Sequence, residues 1–291
     1  MEKRISGHTG LMGLFGSPVG HSGSPAMYNF SFQYHNLDYA YMAFDIKEDQ
    51  VPAALDAMRL FKMRGCNVTM PCKQAIIPLL DGLSDSAELM GAVNVLKKEE
   101  DGRITGHNTD GTGMMQNIRN HGEEIEGKTI TVLGPGGAGS AILVQAALDG
   151  AKKVHVFARE GGPSYTRATT LLPRVQEKTG AEMILHAFEN KDEMAEAIAE
   201  SDILINATPV GMGDSAGETP VPAELIKEGM AVADAVYHPR MTQILKDAEA
   251  KGCKIIGGIG MMIEQAATGE EIWYGVKMPT QDILDELFPE E

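Results

Sequence analysis

A glycine-rich turn between a strand pattern and a helix pattern is the feature that most constrains the fold. Residues 134–139 read Gly-Pro-Gly-Gly-Ala-Gly, after the apolar, β-branched run 128–133 and before the apolar run 140–148. In the matching spacing G-x-G-x-x-G, the first glycine turns the chain, the second lets the backbone approach a pyrophosphate, and the third lets the helix pack on its strand. The free N–H groups of a helix N-terminus also favour phosphate. We therefore favour a dinucleotide site over a purely structural turn.

Strand and helix patterns alternate along most of the chain. Between residues 128 and 258 the alternation is regular, which predicts parallel strands joined by crossover helices in a doubly wound, Rossmann-like sheet. The strands of that sheet are expected near residues 129–134, 153–158, 182–188, 202–207, 230–236 and 253–257. Residues 11–110 alternate less regularly and include a hairpin signal at Asp101-Gly102. Two helical patterns near the C-terminus cannot continue the second sheet, so we expect them to pack on the first part of the chain.

The bulk composition argues against several classes of function. A formal net charge of −16 over 291 residues argues against a nucleic-acid partner and against an anionic membrane surface. No apolar run reaches the roughly 18 residues of a membrane-spanning helix, and the N-terminus has no secretory signal pattern. Three cysteines without a C-x-x-C pair indicate a reducing, cytoplasmic location. Eight histidines form no metal-binding motif, so no metal is expected.

Four segments place polar side chains at predicted strand ends. Ser22 and Ser24 stand just before a helix pattern, where hydroxyls can bind a carboxylate, although on spacing alone a capping role is the stronger interpretation. Lys73 follows a strand and a proline turn and is a candidate general acid or base, with a solvated surface lysine as the ordinary alternative. Asn94 opens a hairpin strand, and Asp110 precedes a helix pattern that it could simply cap.

Together these segments resemble one family, the shikimate dehydrogenases, including its shikimate/quinate branch. The resemblance covers nearly the whole chain and rests on eight ordered motifs. They are PVGHSGSP (18–25), NVTMPCK (67–73), GAVN (91–94), NTDG (108–111), the glycine loop, NATPVGM (206–212), DAVYHP (234–239) and GMMIEQAA (260–267). The resemblance implies an α/β fold of two domains. These are a discontinuous substrate-binding, catalytic domain of residues 1–112 and 259–291, and a dinucleotide-binding domain of residues 113–258.

The resemblance also implies roles for individual residues. Lys73 and Asp110 correspond to the family's catalytic pair, and Ser22 and Ser24 to the hydroxyls that hold the substrate carboxylate. The other predicted substrate-binding residues are Thr69, Asn94, Tyr237 and Gln265. The predicted cofactor-binding residues are Gly134, Gly136, Gly137, Ala138, Arg159, Glu160, Thr208, Gly258 and Met261.

Three positions depart from the family pattern. His238 stands where asparagine is usual, Cys72 replaces a common aromatic residue, and Glu264 occupies a position that is usually small or apolar. These departures leave open the preference between shikimate and quinate but not the type of reaction. The sequence shows nothing beside Cys72 that would lower the pKa of its thiol, so no catalytic cysteine is expected.

The choice between the two nicotinamide cofactors depends on the end of the second strand of the predicted cofactor domain. Glu160 lies where a carboxylate accepts hydrogen bonds from the ribose hydroxyls of NAD, and it would repel the 2′-phosphate of NADP. Members of the family that use NADP usually have Asn-Arg-Thr here. We therefore predict NAD as the preferred cofactor and NADP as the alternative. Arg167 is evidence for the opposite preference, because a helix could bring its side chain to the 2′-phosphate of NADP. The ordinary alternative for Glu160 is a solvated loop residue without a role in binding.

The expected reaction is the reversible NAD(P)-dependent reduction of 3-dehydroshikimate, or 3-dehydroquinate, to shikimate or quinate, as in the shikimate pathway of aromatic amino acid biosynthesis. Lys73 would exchange the proton, and must be neutral for the oxidation direction. The expected partner is a small cyclic hydroxy acid, with no nucleic acid and no membrane, and a homodimer is left open. The alternatives are a non-catalytic paralogue that binds the cofactor or the hydroxy acid as a sensor, and a different two-domain dehydrogenase.

Overall fold

The chain forms two compact units in the computed structural model, which describes residues 5–289. The first unit holds the described residues up to Thr109 and those from Ala266 onward, and the second unit is Asp110–Gln265. The sequence prediction placed these limits after residues 112 and 258, and its substrate-binding domain also includes residues 1–4 and 290–291, which lie outside the described residues. The roles assigned to the two domains stay predictions. No helix within residues 5–289 combines the length and apolar character needed to span a membrane.

The first unit alternates short strands and helices and receives the C-terminal helices. Its elements are β1 (Gly10–Gly16), α1 (Ser24–Tyr34), β2 (Tyr39–Asp45), α2 (Val51–Leu60), β3 (Gly65–Val68), α3 (Cys72–Ala75), β4 (Gly82–Leu83), α4 (Asp85–Met90), β5 (Val95–Lys98) and β6 (Ile104–His107).

The second unit begins at Asp110 and repeats strand and helix more regularly. Its elements are α5 (Asp110–Asn120), β7 (Thr129–Leu133), α6 (Gly137–Leu148), β8 (Lys153–Ala158), α7 (Pro163–Thr179), β9 (Glu182–Ala187), α8 (Lys191–Glu200), β10 (Ile203–Asn206), β11 (Ala231–Asp234), α9 (Gln243–Ala250) and β12 (Lys254–Ile256). Helix α10 (Gly258–Tyr274) begins in the second unit and ends in the first, which also contains α11 (Thr280–Leu287).

The sheet of the first unit is mixed, with strand order β2-β1-β3-β5-β6-β4. Strand β1 pairs in parallel with β2 and β3, whereas β5 runs antiparallel to β3 and β6. The hairpin predicted around Asp101-Gly102 is therefore confirmed. The sequence patterns did not predict β4 or α4, which are too short to show a period.

The end of α10 packs into the core of the first unit. Trp273 is buried and donates its indole N–H to the carbonyl oxygen of Leu96 at 2.8 Å. The hydroxyl of Tyr28 donates to the carbonyl oxygen of Ala266 at 3.1 Å. These contacts confirm that the C-terminal helices pack on the first part of the chain.

The sheet of the second unit is entirely parallel, with strand order β12-β11-β10-β7-β8-β9. This confirms the predicted doubly wound sheet. The carboxyl ends of all six strands meet at one edge, the edge at which open α/β sheets bind ligands.

Glycines allow the helices of the second unit to approach each other closely. A Cβ atom on Gly111 of α5 would overlap the carbonyl oxygen of Ala141 of α6. A Cβ on Gly113 would lie 2.6 Å from the carbonyl oxygen of Met261 in α10. Helix α5 therefore packs directly against both the helix that follows the glycine loop and the helix that carries Gln265.

A substitution at the contact between β3 and Trp273 tests the packing of the first unit. A Cβ on Gly65 would overlap the indole ring of Trp273, so Gly65→Ala should lower the free energy of unfolding by about 1–3 kcal/mol, measured by urea denaturation. Gly82→Ala is the matched control, because Gly82 also begins a strand and its added Cβ would lie 3.6 Å from Thr105, an ordinary contact. Equal effects of the two substitutions would contradict the prediction.

Candidate active site

Two adjacent parallel strands of the first unit lead into segments that contain predicted catalytic and substrate-binding residues. Ser22 and Ser24 follow β1, and Thr69 and Lys73 follow β3. The N–H of Thr69 donates to the carbonyl oxygen of Phe15 at 2.8 Å, so the two segments leave the sheet side by side. All four predicted residues are partly buried.

Lys73 lies on the one-turn helix α3 directly after the strand and proline turn. Its carbonyl oxygen accepts a hydrogen bond from the N–H of Val93 at 2.9 Å, which ties the helix to the segment before β5. The neighbouring Cys72 is buried, and its thiol donates to the carbonyl oxygen of Ile46 at 3.2 Å. Burial raises the pKa of the Cys72 thiol, and the nearby Glu48 raises it further. A thiol with a raised pKa is a poor nucleophile, which agrees with the expectation that Cys72 is not catalytic.

The two serines do not cap α1 in the ordinary way. The helix begins at Ser24, and the N-cap position is Gly23, which offers no side chain. The Ser22 hydroxyl accepts the N–H of Ser24 at 3.2 Å. The capping interpretation is therefore wrong for Ser24, and Ser22 satisfies one of the N–H groups at the helix start.

Asn94 fixes the chain immediately before Asp110. Its side chain is only 3% exposed, donates to the Thr109 hydroxyl at 3.0 Å, and accepts the Thr109 N–H at 2.8 Å. Asp110 follows as the first residue of α5. A role of Asn94 in substrate binding stays a prediction, and its observed contacts hold Thr109, the last residue of the first unit before α5.

The predicted catalytic and substrate-binding residues form two sets, one in each unit. Asp110 begins α5, Tyr237 follows β11 and is 48% exposed, and Gln265 of α10 donates to the carbonyl oxygen of Met262 at 3.1 Å. These three belong to the second unit. The first unit holds Ser22, Ser24, Thr69, Lys73 and Asn94.

The glycine loop of the second unit has the local geometry that dinucleotide loops require. Gly134 has φ +88°, and its carbonyl oxygen accepts the N–H of Gly136 at 2.9 Å, so the chain turns sharply after β7. A Cβ on Gly139 would overlap the Gly134 carbonyl oxygen, so this glycine lets α6 pack on the turn. A Cβ on Gly136 or Gly137 would meet nothing within 4 Å. The loop therefore leaves open space beside the N-terminus of α6, where the predicted dinucleotide site would hold a pyrophosphate.

Other predicted cofactor residues lie in the same unit. A Cβ on Gly134 would lie 2.6 Å from the methyl group of Thr208, so the turn after β10 touches the glycine loop. A Cβ on Gly258 would lie 2.5 Å from the carbonyl oxygen of Val236, so the start of α10 touches the turn after β11. Met261 is buried one turn further along α10, whereas Ala138 is exposed at the start of α6.

The turn after β8 carries charged side chains that are exposed. Arg159 and Glu160 are both exposed, and the Glu160 N–H donates to a carboxylate oxygen of Glu189 at 3.3 Å. Two carboxylates therefore flank the turn where an adenosine ribose is expected. Arg167, the residue that could favour a phosphate, is exposed on α7.

Sequence reasoning missed a buried carboxyl group at the end of β11. Asp234 is fully buried, and burial raises its pKa to about 6, although hydrogen bonds from Thr242, Val236 and Asn206 pull the pKa down. The sequence signal for this group is that the apolar strands β10 and β11 each end in a polar residue, Asn206 and Asp234.

Two other polar residues have structural partners. His107 lies 3.2 Å from the Thr105 hydroxyl, and Glu264 accepts the side-chain N–H of Asn120 at 2.8 Å. Among residues 5–289, no group of three or more His, Cys, Asp or Glu side chains could hold a metal ion.

Known proteins resemble this chain over nearly its full length. The model of the shikimate dehydrogenase substrate binding domain matches residues 14–96. A shikimate dehydrogenase (NADP(+)) of Listeria monocytogenes serotype 4b (strain F2365) is 42% identical over 289 residues, which cover 99% of each chain. This chain belongs to the shikimate dehydrogenase family.

Solved structures of the family have the same fold. The crystal structure of shikimate 5-dehydrogenase from Listeria monocytogenes in complex with shikimate and NAD has a TM-score of 0.96 and 41% identity, with 99% of each chain covered. Quinate dehydrogenase from Corynebacterium glutamicum in complex with NAD has a TM-score of 0.85 and 27% identity, with 97% of this chain and 99% of that chain covered. The α/β fold predicted from the resemblance to shikimate dehydrogenases is confirmed.

Two glycine substitutions separate the folding role of the loop from its predicted binding role. Gly136→Ala should leave the free energy of unfolding within about 0.5 kcal/mol of wild type, because the added Cβ meets no atom within 4 Å. It should weaken NAD binding roughly tenfold or more, because the methyl group occupies the space of the pyrophosphate. Gly139→Ala should instead destabilise the second unit. Thermal denaturation and calorimetric titration with NAD measure the two effects, and unchanged NAD binding by Gly136→Ala would contradict the predicted site.

Proposed function

We propose that this protein catalyses the reversible NAD(P)-dependent oxidation of shikimate to 3-dehydroshikimate. The observation that carries the proposal is the similarity, over 99% of the chain, to a shikimate 5-dehydrogenase solved with shikimate and NAD. Lys73, Asp110 and the two serines stand in the matching motifs, which argues against a non-catalytic sensor. The similarity to a quinate dehydrogenase keeps quinate as the alternative substrate.

Proton transfer is assigned to Lys73. A nicotinamide cofactor held by the second unit would supply the hydride for reduction and accept it in oxidation. As the carbonyl oxygen gains negative charge, the Lys73 ammonium stabilises that charge and donates the proton. Asp110 is proposed to orient the lysine and the reacting hydroxyl. In oxidation Lys73 acts as the base and takes the proton of the reacting hydroxyl.

Substrate orientation is assigned to the serine pair. Neutral hydroxyl donors bind an anionic carboxylate through charge-assisted hydrogen bonds, so the site needs no arginine there in spite of the net charge of −16. Holding the carboxylate fixes which face of the ring meets the nicotinamide. We assign carboxylate binding to this serine pair of the first unit, and dinucleotide binding to the second unit.

A cytoplasmic location is proposed from the three free cysteines. The oligomeric state, with a homodimer as one option, stays a prediction.

Replacing the proposed acid–base group tests the proposed function. Lys73→Ala should lower kcat by roughly 10²–10⁴, the usual contribution of general acid–base catalysis, while shikimate binding changes much less. The measurement is the initial rate of absorbance change at the NADH band with shikimate and NAD. A Lys73→Ala enzyme with near-normal kcat would rule out the assignment.

Lys98→Ala is the matched control, because Lys98 is a partly buried lysine of the same unit at the end of β5. Specificity constants for shikimate and quinate, each with NAD and NADP, should accompany both variants. An enzyme that turns over neither hydroxy acid would contradict the proposed function.

We also propose that NAD is preferred over NADP. The carboxylates of Glu160 and Glu189 beside the turn after β8 support this, because a 2′-phosphate would face like charge there. The family relative from Listeria monocytogenes is named for NADP(+), whereas the solved Listeria monocytogenes enzyme holds NAD. Family membership therefore does not decide between NAD and NADP, and the proposed preference depends on the residues of this chain.

Removing the Glu160 charge tests the cofactor preference. Glu160→Thr should raise the ratio of the specificity constant for NADP to that for NAD by roughly fivefold, because one like charge near the phosphate is lost. Glu177→Thr, which removes an exposed carboxylate from α7 of the same unit, is the control and should leave the ratio unchanged. A wild-type enzyme that prefers NADP at equal concentrations would show the proposal to be wrong.

A further inference from the structure

A buried network of hydrogen bonds crosses the carboxyl ends of β10 and β11. Asn206, which is fully buried, donates its side-chain N–H groups to Asp234 Oδ1 at 2.9 Å and to the carbonyl oxygen of Val210 at 3.1 Å. Its side-chain oxygen accepts the N–H and the hydroxyl of Thr208 at 3.0 and 2.7 Å. Both donors and both acceptor positions of this amide are therefore in use.

Asp234 extends the network into the next segment. Its Oδ1 also accepts the N–H of Val236 at 2.9 Å, and its Oδ2 lies 2.5 Å from the Thr242 hydroxyl. Thr242 is the N-cap residue of α9, yet its hydroxyl makes no capping bond. An N-cap hydroxyl ordinarily accepts an N–H of the helix. Here the Thr242 hydroxyl donates to the Asp234 carboxyl group and makes no hydrogen bond to the first turn of α9.

Both ends of the network touch residues proposed to bind ligands. The methyl group of Thr208 packs against Gly134 of the glycine loop, and the carbonyl of Val236 packs against Gly258. Tyr237 follows Val236 directly and is the exposed, substrate-contacting candidate of this segment. One fully buried carboxyl group thus joins the turn beside the glycine loop to the segment with Tyr237.

We propose that Asp234, with Asn206 and Thr242, is a positioning residue that sets the cofactor loop and the Tyr237 segment relative to each other. The proposal rests on the proposed function, because it assumes that Thr208 and Tyr237 belong to a dinucleotide site and a substrate site. The network acts through these residues and touches no ligand itself. It predicts that a change at Thr242 alters the binding of both ligands, although Thr242 contacts neither.

A purely structural role makes a different prediction. Loss of a buried hydrogen bond anywhere in the second unit lowers its stability, whereas only a positioning role changes ligand affinity under conditions where the protein is fully folded. Thr131 offers a matched comparison. It is a fully buried threonine of the same unit, on β7, and its hydroxyl lies 2.7 Å from the Ser201 hydroxyl. Thr131→Val therefore also removes a single buried hydroxyl contact.

The experiment compares Thr242→Val, Thr242→Ser and Thr131→Val by thermal denaturation, calorimetric titration with NAD, and steady-state kinetics with shikimate. Thr242→Val should raise the Kd for NAD and the KM for shikimate roughly tenfold, because the carboxyl group loses a donor and can shift. Thr242→Ser keeps the hydroxyl and should recover most of both values. Thr131→Val should lower the denaturation temperature and leave Kd and KM unchanged.

The outcomes separate this proposal from the proposed function. If Thr242→Val matches Thr131→Val in Kd and KM, the positioning role is wrong. If the wild type binds NAD but does not oxidise shikimate or quinate, the proposed function fails, while the Kd comparison still tests the network. If Thr242→Val does not fold, Thr242→Cys replaces it, since a thiol is a weaker donor than a hydroxyl. A Kd for NAD that Thr242→Cys raises by less than tenfold then supports the proposal, and an unchanged Kd overturns it.

Discussion

Close backbone contact at glycine positions is the constraint on which the second unit depends. Gly111 brings α5 against α6, Gly113 brings α5 against α10, and Gly139 brings α6 against the turn at Gly134. Any side chain at these positions would push a helix away from its neighbour. Because α5 begins with Asp110, α6 follows the glycine loop and α10 carries Gln265, the same contacts determine where these proposed ligand-binding groups lie within the unit.

Each unit also uses a buried asparagine to hold the segment at a strand end. In the first unit Asn94 bonds both the N–H and the hydroxyl of Thr109, and Asn206 of the second unit does the same with Thr208. A carboxamide can donate and accept at once, so one side chain provides hydrogen bonds for polar groups of a turn that would otherwise be buried and unpaired. The residues next to these turns are those proposed to act on ligands. Rigid support behind an active residue is what catalysis by orientation requires.

The sequence predicted the regular parts of the fold well, because their signals are local. Alternating apolar strands, the hairpin at Asp101-Gly102 and the glycine loop each follow from neighbouring residues. The start of the second helix is less regular, since a short 3-10 turn, Glu48–Gln50, precedes α2, whose N-cap is Gln50. The bonds of Asn94 and Asp234 could not be predicted, because their partners become neighbours only when strands pair. The candidate site was found from the family motifs, and spacing alone favoured ordinary roles for Ser22, Ser24 and Lys73.

The buried carboxyl group of Asp234 makes the stability of the folded protein depend on pH. Its pKa is about 6 in the folded protein, against an ordinary value of 3.8 that the unfolded chain would show. The folded state therefore holds the proton more tightly, and this group stabilises folding fully below pH 3.8. That contribution is lost as the pH rises to about 6, a change of about 3 kcal/mol, and stays absent above it. At neutral pH the second unit keeps a charge that opposes its own folding, and the three hydrogen bonds to that charge reduce the cost.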